Sequence, residues 1–585
     1  MRPILIMILL ATQTGSRLAA SEPSPLRWWI VDPLEKIKPL DAVPNSPVTR
    51  ADLHAGRNEF EPFQIVLRAD DADIADIDIE VSDLRTSRGT KISRNNVTAY
   101  LEQFLNITQP SLIGGATGLW PDPLIPRIDR YAHERRNAFP FVLRRGRNQP
   151  LWVEIFVPEQ ARPGKYLGWA RISRGGKSAV DIPISLTVWA FVLPSTATLK
   201  SSFGLSGPAL LQQHRGQYTN DDDLYSLTRV YAKAALEHRI SIHGGSMVPP
   251  PYRLVDGRMR LDWQAYDAEV GPFLDGTAIP KGEPLSGARA TSVDLRTPSR
   301  FPHAEQQAPY WAESVRHFRQ SGWYDRLFLY LWDEPAPADK PMVLVRGRAA
   351  LLADPGIRNL VTSPFTPEFK EVVQIWTPLV NCLVRKPGFD DFCAEAPPME
   401  VYLHEAEGGK SLWFYQSCAS HGCNMQGGSY FTGWPSYMID ASGVANRVMQ
   451  WLAWKYRIEG ELYFSMDEAY GRDKDPWTDV RLFGGNGDGT LFYPGRPDRI
   501  GGLTDIPIES IRLKLIREGM EDYEYLALLA KLGGQKAADK YADRIVKQPY
   551  LWESSPEIFL RVRLEMGKAL DRLVSLRPES VSNEE

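Results

Sequence analysis

The stretch Leu327-Phe328-Leu329-Tyr330-Leu331-Trp332-Asp333-Glu334-Pro335 constrains this chain more than any other. An apolar and aromatic run stops abruptly at two adjacent carboxylates and a proline. A continuously hydrophobic run reads as a strand buried on both faces, as in a parallel sheet covered by helices. Pro335 cannot donate to a sheet ladder, and it steers Glu334 toward extended geometry. The strand therefore ends with Asp333 and Glu334 at its C-terminal edge. In a barrel of parallel strands that edge carries the catalytic residues. Read otherwise, the two acids cap the N-terminus of a helix that follows Pro335. Trp332 beside them favours a sugar site, because flat rings with apolar faces and a polar edge suit sugar rings.

The rest of the chain can be arranged around that strand. From about Lys200 strands and helices alternate. The candidate strands are Ser202–Leu205, Ile240–His243, Thr291–Leu295, Phe328–Trp332, Asn359–Ser363, Val372–Trp376, Leu412–Ser417 and Glu461–Ser465. Their number is the one a closed (β/α)8 barrel requires. Helical stretches are expected over Glu305–Gln320, Met342–Leu352 and Val444–Tyr456, and the strongest helix over Ile508–Leu529. In that last helix Ile508, Ile511, Leu515, Tyr523 and Leu526 keep one face. Its acids Glu518, Glu521, Asp522 and Glu524 read as a solvated or internally paired face. Ahead of Pro194 the texture is β-rich, with short runs at Phe60–Leu67, Leu151–Val157, Tyr166–Ile172 and Ile182–Val188 separated by turn residues, which argues for a β-sandwich. The expected organisation is a signal peptide over 1–20, a β-sandwich over 21–195, a barrel over 196–533, and a helical extension with a polar tail over 534–585.

Composition narrows the class of function. The net charge of −4 over 585 residues and the lack of a Lys/Arg-rich block make nucleic acid and anionic membranes poor partners. Arg2, the apolar Ile4–Ala11 and Leu18-Ala19-Ala20 read as a cleavable signal peptide, hence a secreted or periplasmic protein. That run is too short to span a bilayer, and no stable membrane insertion is expected. In an exported protein the cysteines Cys382, Cys393, Cys418 and Cys423 favour disulfides, with Cys382–Cys393 and Cys418–Cys423 preferred because short loops close easily. A metal site of Cys418 and Cys423 with His421 and His404 is the alternative, but the spacing is a poor zinc signature. No metal and no cofactor are expected.

Several motifs, taken in order, resemble glycoside hydrolase family 123. They are Ala55-Gly56-Arg57-Asn58-Glu59-Phe60-Glu61-Pro62-Phe63-Gln64, Trp120-Pro121-Asp122-Pro123-Leu124, Asn148-Gln149-Pro150-Leu151-Trp152-Val153, Tyr330-Leu331-Trp332-Asp333-Glu334-Pro335, Gly487-Asp488-Gly489-Thr490-Leu491-Phe492-Tyr493-Pro494-Gly495, and Arg512 through Leu526. The resemblance implies an N-terminal β-sandwich followed by a (β/α)8 barrel. It also implies a retaining β-N-acetylgalactosaminidase activity on a glycan or glycolipid, with Asp333 and Glu334 as the catalytic pair.

Adjacent acids suit a particular division of labour. Neighbours in a strand point to opposite faces, so Asp333 and Glu334 cannot easily oppose each other across a sugar as nucleophile and acid. Glu334 could instead act as general acid and then base. Asp333 could accept the N–H of a substrate 2-acetamido group and align its carbonyl as the nucleophile, the substrate-assisted route. Other candidate sugar contacts are Trp332, Trp376, Tyr415 and His243; Trp376 and Tyr415 equally suit filling the barrel interior, and His243 suits a structural role better than a ligand's. Asp467 and Glu468 follow the eighth strand; they either bind hydroxyls or cap a loop. They also sustain a second reading, a glycosidase for a sugar without an acetamido group that pairs Glu334 with Asp467 or Glu468. A third reading is a non-catalytic carbohydrate-binding protein on the same scaffold.

Overall fold

The computed structural model describes residues 26–576 apart from 114, 245–249, 257, 298–300, 302, 390–391, 423–427 and 473. The proposed signal segment 1–20 and Cys423 lie outside the described residues. Among the described residues no helix is long and apolar enough to cross a membrane.

The N-terminal third builds two facing sheets, the first buried along nearly all of its central strands and the second alternating between core and solvent. One runs in the order Leu26–Val31, Glu59–Ala69, Asn148–Val157, Val97–Ile107, Gly118–Pro126. In the other, Lys177–Val192 pairs antiparallel with Gly164–Arg174 and parallel with Ala51–Arg57. Phe63, Ile65 and Leu67 of the first sheet share a buried core with Ile77, Ile79, Ile172, Ile184 and Leu186 of the second. Outward positions of the second sheet carry charge, such as the exposed pair of Arg171 and Asp181. This is the alternation expected of a sandwich.

The barrel follows. Its strands are Lys200–Leu205, Ile242–Gly244, Val293–Asp294, Leu327–Trp332, Asn359–Val361, Ile375–Trp376, Ser411–Gln416 and Gly460–Tyr463. Each falls on one of the eight segments expected from the sequence. The sheet order is second, first, eighth, seventh, sixth, fifth, fourth, third, and every neighbouring pair is parallel. The second and third strands lie side by side without pairing, so the ring is nearly closed. Alternate residues divide between two cores. Phe328, Leu360, Ile375, Trp413, Tyr415 and Leu462 form the inner one. Leu329, Leu331, Val361, Trp376 and Phe414 face the helices, where Val343, Tyr310 and Met449 meet them. At the seam of the first and eighth strands the backbones nearly touch: a Cβ on Gly204 would stand 2.0 Å from the carbonyl oxygen of Phe464.

The helices Ala304–Gln320 and Lys340–Ala353 cover the third-to-fifth strands. The helix expected over Val444–Tyr456 is interrupted at Val448 into Gly443–Arg447 and Met449–Lys455, although hydrogen bonds from Val448 N–H to the Val444 carbonyl and from Leu452 N–H to the Val448 carbonyl carry across the break. The strongest helix spans Ile511–Gly533, capped by Ser510, whose hydroxyl accepts from Leu513 N–H at 3.1 Å.

This long helix differs from the expectation of one apolar face. Almost every residue from Ile511 to Leu526 is buried, because the sandwich, the barrel helices, and the helices Gln535–Ile545 and Pro556–Ser575 surround it. Of the two readings of its acids, solvated or internally paired, the structure shows the second. Glu518 and Asp522 pair with Arg447, Asp522 also with Arg563, and Glu521 with Arg239. Its bases reach into the sandwich: Arg512 to Asp122 at 2.8 Å, and Lys514 and Arg517 to Glu154 at 2.9 and 2.6 Å. Sequence periodicity could not show this, since a helix enclosed on all sides has no solvent face for its charges.

The two-sided burial of Asp122 and Arg512 yields a prediction. Removing one member of a buried pair leaves an uncompensated charge, which typically costs about 3–5 kcal/mol. Arg512→Leu should lower the chemical-denaturation midpoint by a corresponding amount, whereas Arg171→Leu, at an exposed pair, should change it little. Equal effects of the two substitutions would refute the special standing of the buried junction.

Candidate active site

The fourth strand ends at Trp332, and Asp333 and Glu334 follow it directly at the C-terminal mouth of the barrel. They are brought to that mouth by two local departures from regular strand geometry. The first is a bulge: Tyr330 pairs with Leu360 and Trp332 with Val361, so two residues of the fourth strand answer one of the fifth. Bulges of this kind re-aim the side chains beyond them. Leu331 and Trp332 consequently both pack on the outer layer, and Asp333 returns to the side of Tyr330. The second departure is at Glu334, whose φ of 43° is left-handed. The proline-based expectation of extended backbone is thus overturned. A left-handed non-glycine residue costs roughly 1–2 kcal/mol. Here that cost is offset by specific bonds: the Glu334 N–H donates to Thr362 Oγ1 at 2.7 Å, and Tyr415 OH donates to Glu334 Oε1 at 2.5 Å.

Asp333 is anchored as firmly. Tyr330 OH and Thr362 Oγ1 both donate to its Oδ1, each at 2.8 Å. Among the described residues none binds Asp333 Oδ2 or Glu334 Oε2. Each carboxyl group thus has one oxygen held by the protein and one left for a ligand. Neither acid caps the following helix; the bond at that turn runs from Ala336 N–H to Asp339 Oδ2 at 2.8 Å. Burial first, and then the neighbouring acids, push the Tyr415 and Tyr330 phenols well above their ordinary range, so both remain donors at any physiological pH.

His243, from the second strand, belongs to the same cluster. Its Nδ1 lies 3.0 Å from Ser202 Oγ, and its ring centroid is 6.3 Å from that of Tyr330. Burial lowers its pKa against the opposing charges of Asp294 and Asp333.

The remaining expected residues are placed elsewhere. Trp376 points outward because Ile375 beside it points inward; it is buried against Phe365, with ring centroids 5.0 Å apart. Trp332 is half-buried on the same outer layer, displaced there by the bulge. Glu468 pairs with Arg472 four residues on, Nε to Oε1 at 3.0 Å. Asp467 is wholly buried. It accepts the Ser206 N–H at 3.1 and 3.0 Å, which ties the end of the eighth strand to the start of the helix after the first. The Cys382–Cys393 disulfide closes the loop after the sixth strand. The other expected bridge includes Cys423, outside the described residues. Among the described residues no group of His, Cys, Asp and Glu is arranged to hold a metal ion.

Sequence reasoning missed Tyr330 and Thr362. A signal was available for both: Tyr330 keeps the inward parity of Phe328, and Thr362 directly follows the fifth strand, neighbour to the one that bears the acids.

The buried Asp467 generates a prediction. Burial pushes its carboxyl up to about 7, against about 3.9 in an unfolded chain. Between these values the folded form holds a proton that the unfolded form has lost, so folding stability falls as pH rises through that window. Asp467→Asn removes this term. Its stability, measured by chemical denaturation, should fall less than the parent's between about pH 4 and pH 7. A steeper fall would contradict the assignment.

Two family models match the chain: the glycoside hydrolase 123 N-terminal domain over residues 38–174 and the glycoside hydrolase 123 catalytic domain over residues 303–529. The fold is similar to that of a family 123 glycoside hydrolase from Clostridium perfringens whose structure was determined to detail glycolipid glycan hydrolysis, with a TM-score of 0.65, 14% identity, and coverage of 94% of this chain and 98% of that one. More distant likenesses are a Bacteroides ovatus GH5 xyloglucanase (TM-score 0.27, 9% identity, 80% and 98% covered) and a family 39 glycoside hydrolase from Bacteroides cellulosilyticus WH2 (TM-score 0.31, 10% identity, 75% and 80% covered). Among curated proteins no sequence relative is found. With both domains matched in order and the fold shared along nearly the whole length, this chain belongs to glycoside hydrolase family 123.

Proposed function

We propose that this chain is an exported β-N-acetylhexosaminidase that hydrolyses N-acetylgalactosaminides of glycans or glycolipids with retention, using the substrate's own 2-acetamido group as nucleophile. One observation carries the reading: Asp333 and Glu334 stand at one barrel mouth, each with a single oxygen anchored and the other open. In the first step Glu334 Oε2 gives its proton to the glycosidic oxygen as the bond to the anomeric carbon breaks. The acetamido carbonyl oxygen closes on that carbon, and Asp333 Oδ2 accepts the acetamido N–H and stabilises the positive charge of the ring that forms. In the second step Glu334 takes a proton from water, which opens the ring from the opposite side and restores the original anomer. Tyr415, fixed as a donor, holds the carboxyl of Glu334 through both steps. The glycolipid part of the substrate class draws on what the C. perfringens enzyme is described as hydrolysing.

The reading that pairs Glu334 with Asp467 loses support, because Asp467 is wholly buried and both its oxygens accept the Ser206 N–H; Glu468 is paired with Arg472 through Oε1.

The division of labour can be tested with two aryl glycosides of N-acetylgalactosamine that differ in leaving group. General acid–base assistance is worth about 10²–10⁴-fold. Glu334→Gln should lose rate of that order on the poor leaving group and much less on the activated one. Asp333→Asn should lose rate on both. A thiazoline mimic of the cyclised intermediate should inhibit, since such ligands bind more tightly than substrate. Trapping a covalent glycosyl adduct on a carboxylate, or equal hydrolysis of sugars with a 2-hydroxyl, would sink the proposal.

A further inference from the structure

We infer that Thr362 is a positioning residue that locks the two acids of the mouth into one relative geometry. The inference rests on the reading that Asp333 and Glu334 carry the chemistry. Thr362 directly follows the fifth strand, Asn359–Val361, and is almost wholly buried. A hydroxyl has one proton to give and lone pairs to accept with. The Glu334 N–H can only donate, so Thr362 Oγ1 accepts there, at 2.7 Å. The hydroxyl's own proton is then committed to Asp333 Oδ1, at 2.8 Å. One hydroxyl thus joins the backbone of one acid to the side chain of the other.

Two consequences follow for the site. The bond to the Glu334 N–H pins a left-handed turn that the residue type does not favour, and that turn delivers the Glu334 carboxyl to Tyr415. The bond to Asp333 Oδ1, added to that from Tyr330 OH, saturates this oxygen and leaves Oδ2 as the one not held by the described residues. The threonine methyl matters less than the hydroxyl, although branching at Cβ restricts the side-chain rotamer and so aims the hydroxyl. Valine keeps the shape and branching of threonine but offers neither bond.

The test compares Thr362→Val and Thr362→Ser with the parent on an N-acetylgalactosamine aryl glycoside, following kcat, KM, thermal unfolding and binding of the thiazoline mimic. Misplacement of reacting groups by about 1 Å can cost on the order of 10²-fold in rate. Thr362→Val should therefore lose on the order of 10- to 100-fold in kcat with little change in KM, and should bind the thiazoline more weakly by a similar factor. Thr362→Ser should keep most of the parent's kcat. If Thr362→Val does not fold, Thr362→Ala takes its place beside Thr362→Ser, with the same contrast expected. The positioning role is overturned if the hydroxyl-free variant matches an active parent, or if serine is as impaired as valine or alanine. A parent inactive on every 2-acetamido glycoside would instead remove the reading of the acids, and the role of Thr362 with it.

Discussion

The buried charges around the helix Ile511–Gly533 hold the parts of this molecule in register. Arg512, Lys514 and Arg517 bind Asp122 and Glu154 of the sandwich. Asp522 binds Arg447 from the barrel's outer layer and Arg563 from the C-terminal helix, and Arg563 in turn binds Glu59 of the sandwich. Burying ions is expensive, and pairing with an opposite charge compensates for much of it. A sliding displacement of one part against another would break several pairs together, so the junction permits one arrangement. The effect extends to the barrel mouth. The guanidinium of Arg512 also donates to the carbonyls of Gly487 and Tyr437 at 2.7 and 3.0 Å, which fixes the loop after the eighth strand. That loop bridges Thr490 to Asp467.

This junction gives the family-like motifs a physical meaning. Glu59, Asp122 and the run from Arg512 to Asp522 lie far apart in sequence, yet they meet in one network. None of them is at the mouth. They are charged because each has a charged partner in another part of the chain. The motif that ends at Asp333 and Glu334 is of another kind, since its acids each keep a carboxyl oxygen free.

The mouth owes its arrangement to the ends of three strands, two of them adjacent and the third beyond the sixth. The fourth supplies Tyr330 and both acids, the fifth Thr362, and the seventh Tyr415. All are anchored to packed strands, so the fold fixes these hydrogen-bonding groups in place. The acids at and beyond the eighth strand serve differently. Glu461, Asp467 and Asp488 are buried and pushed up to about 7, and each is bonded within the protein.

The sequence by itself determined the barrel. Short candidate strands alternating with helical stretches point to a parallel barrel, and all eight strands fell on the segments expected for them. It also determined that Asp333 and Glu334 end a strand, because two carboxylates cannot continue a buried run. Tyr415 shares the inward parity of Trp413 and reaches the mouth, whereas Trp376 faces the helices, because in a strand as short as Ile375–Trp376 the parity is not fixed by sequence. Only the tertiary structure decided the rest. The bulge at Leu331 and the left-handed Glu334 reverse the parity that a regular strand would impose, and they depend on Thr362 and Tyr415, which come from other strands. The charged face of the long helix likewise became interior because its partners come from the sandwich, the barrel and the C-terminal helix. A sequence pattern records local periodicity; a bond between distant residues is settled only when the fold brings them together.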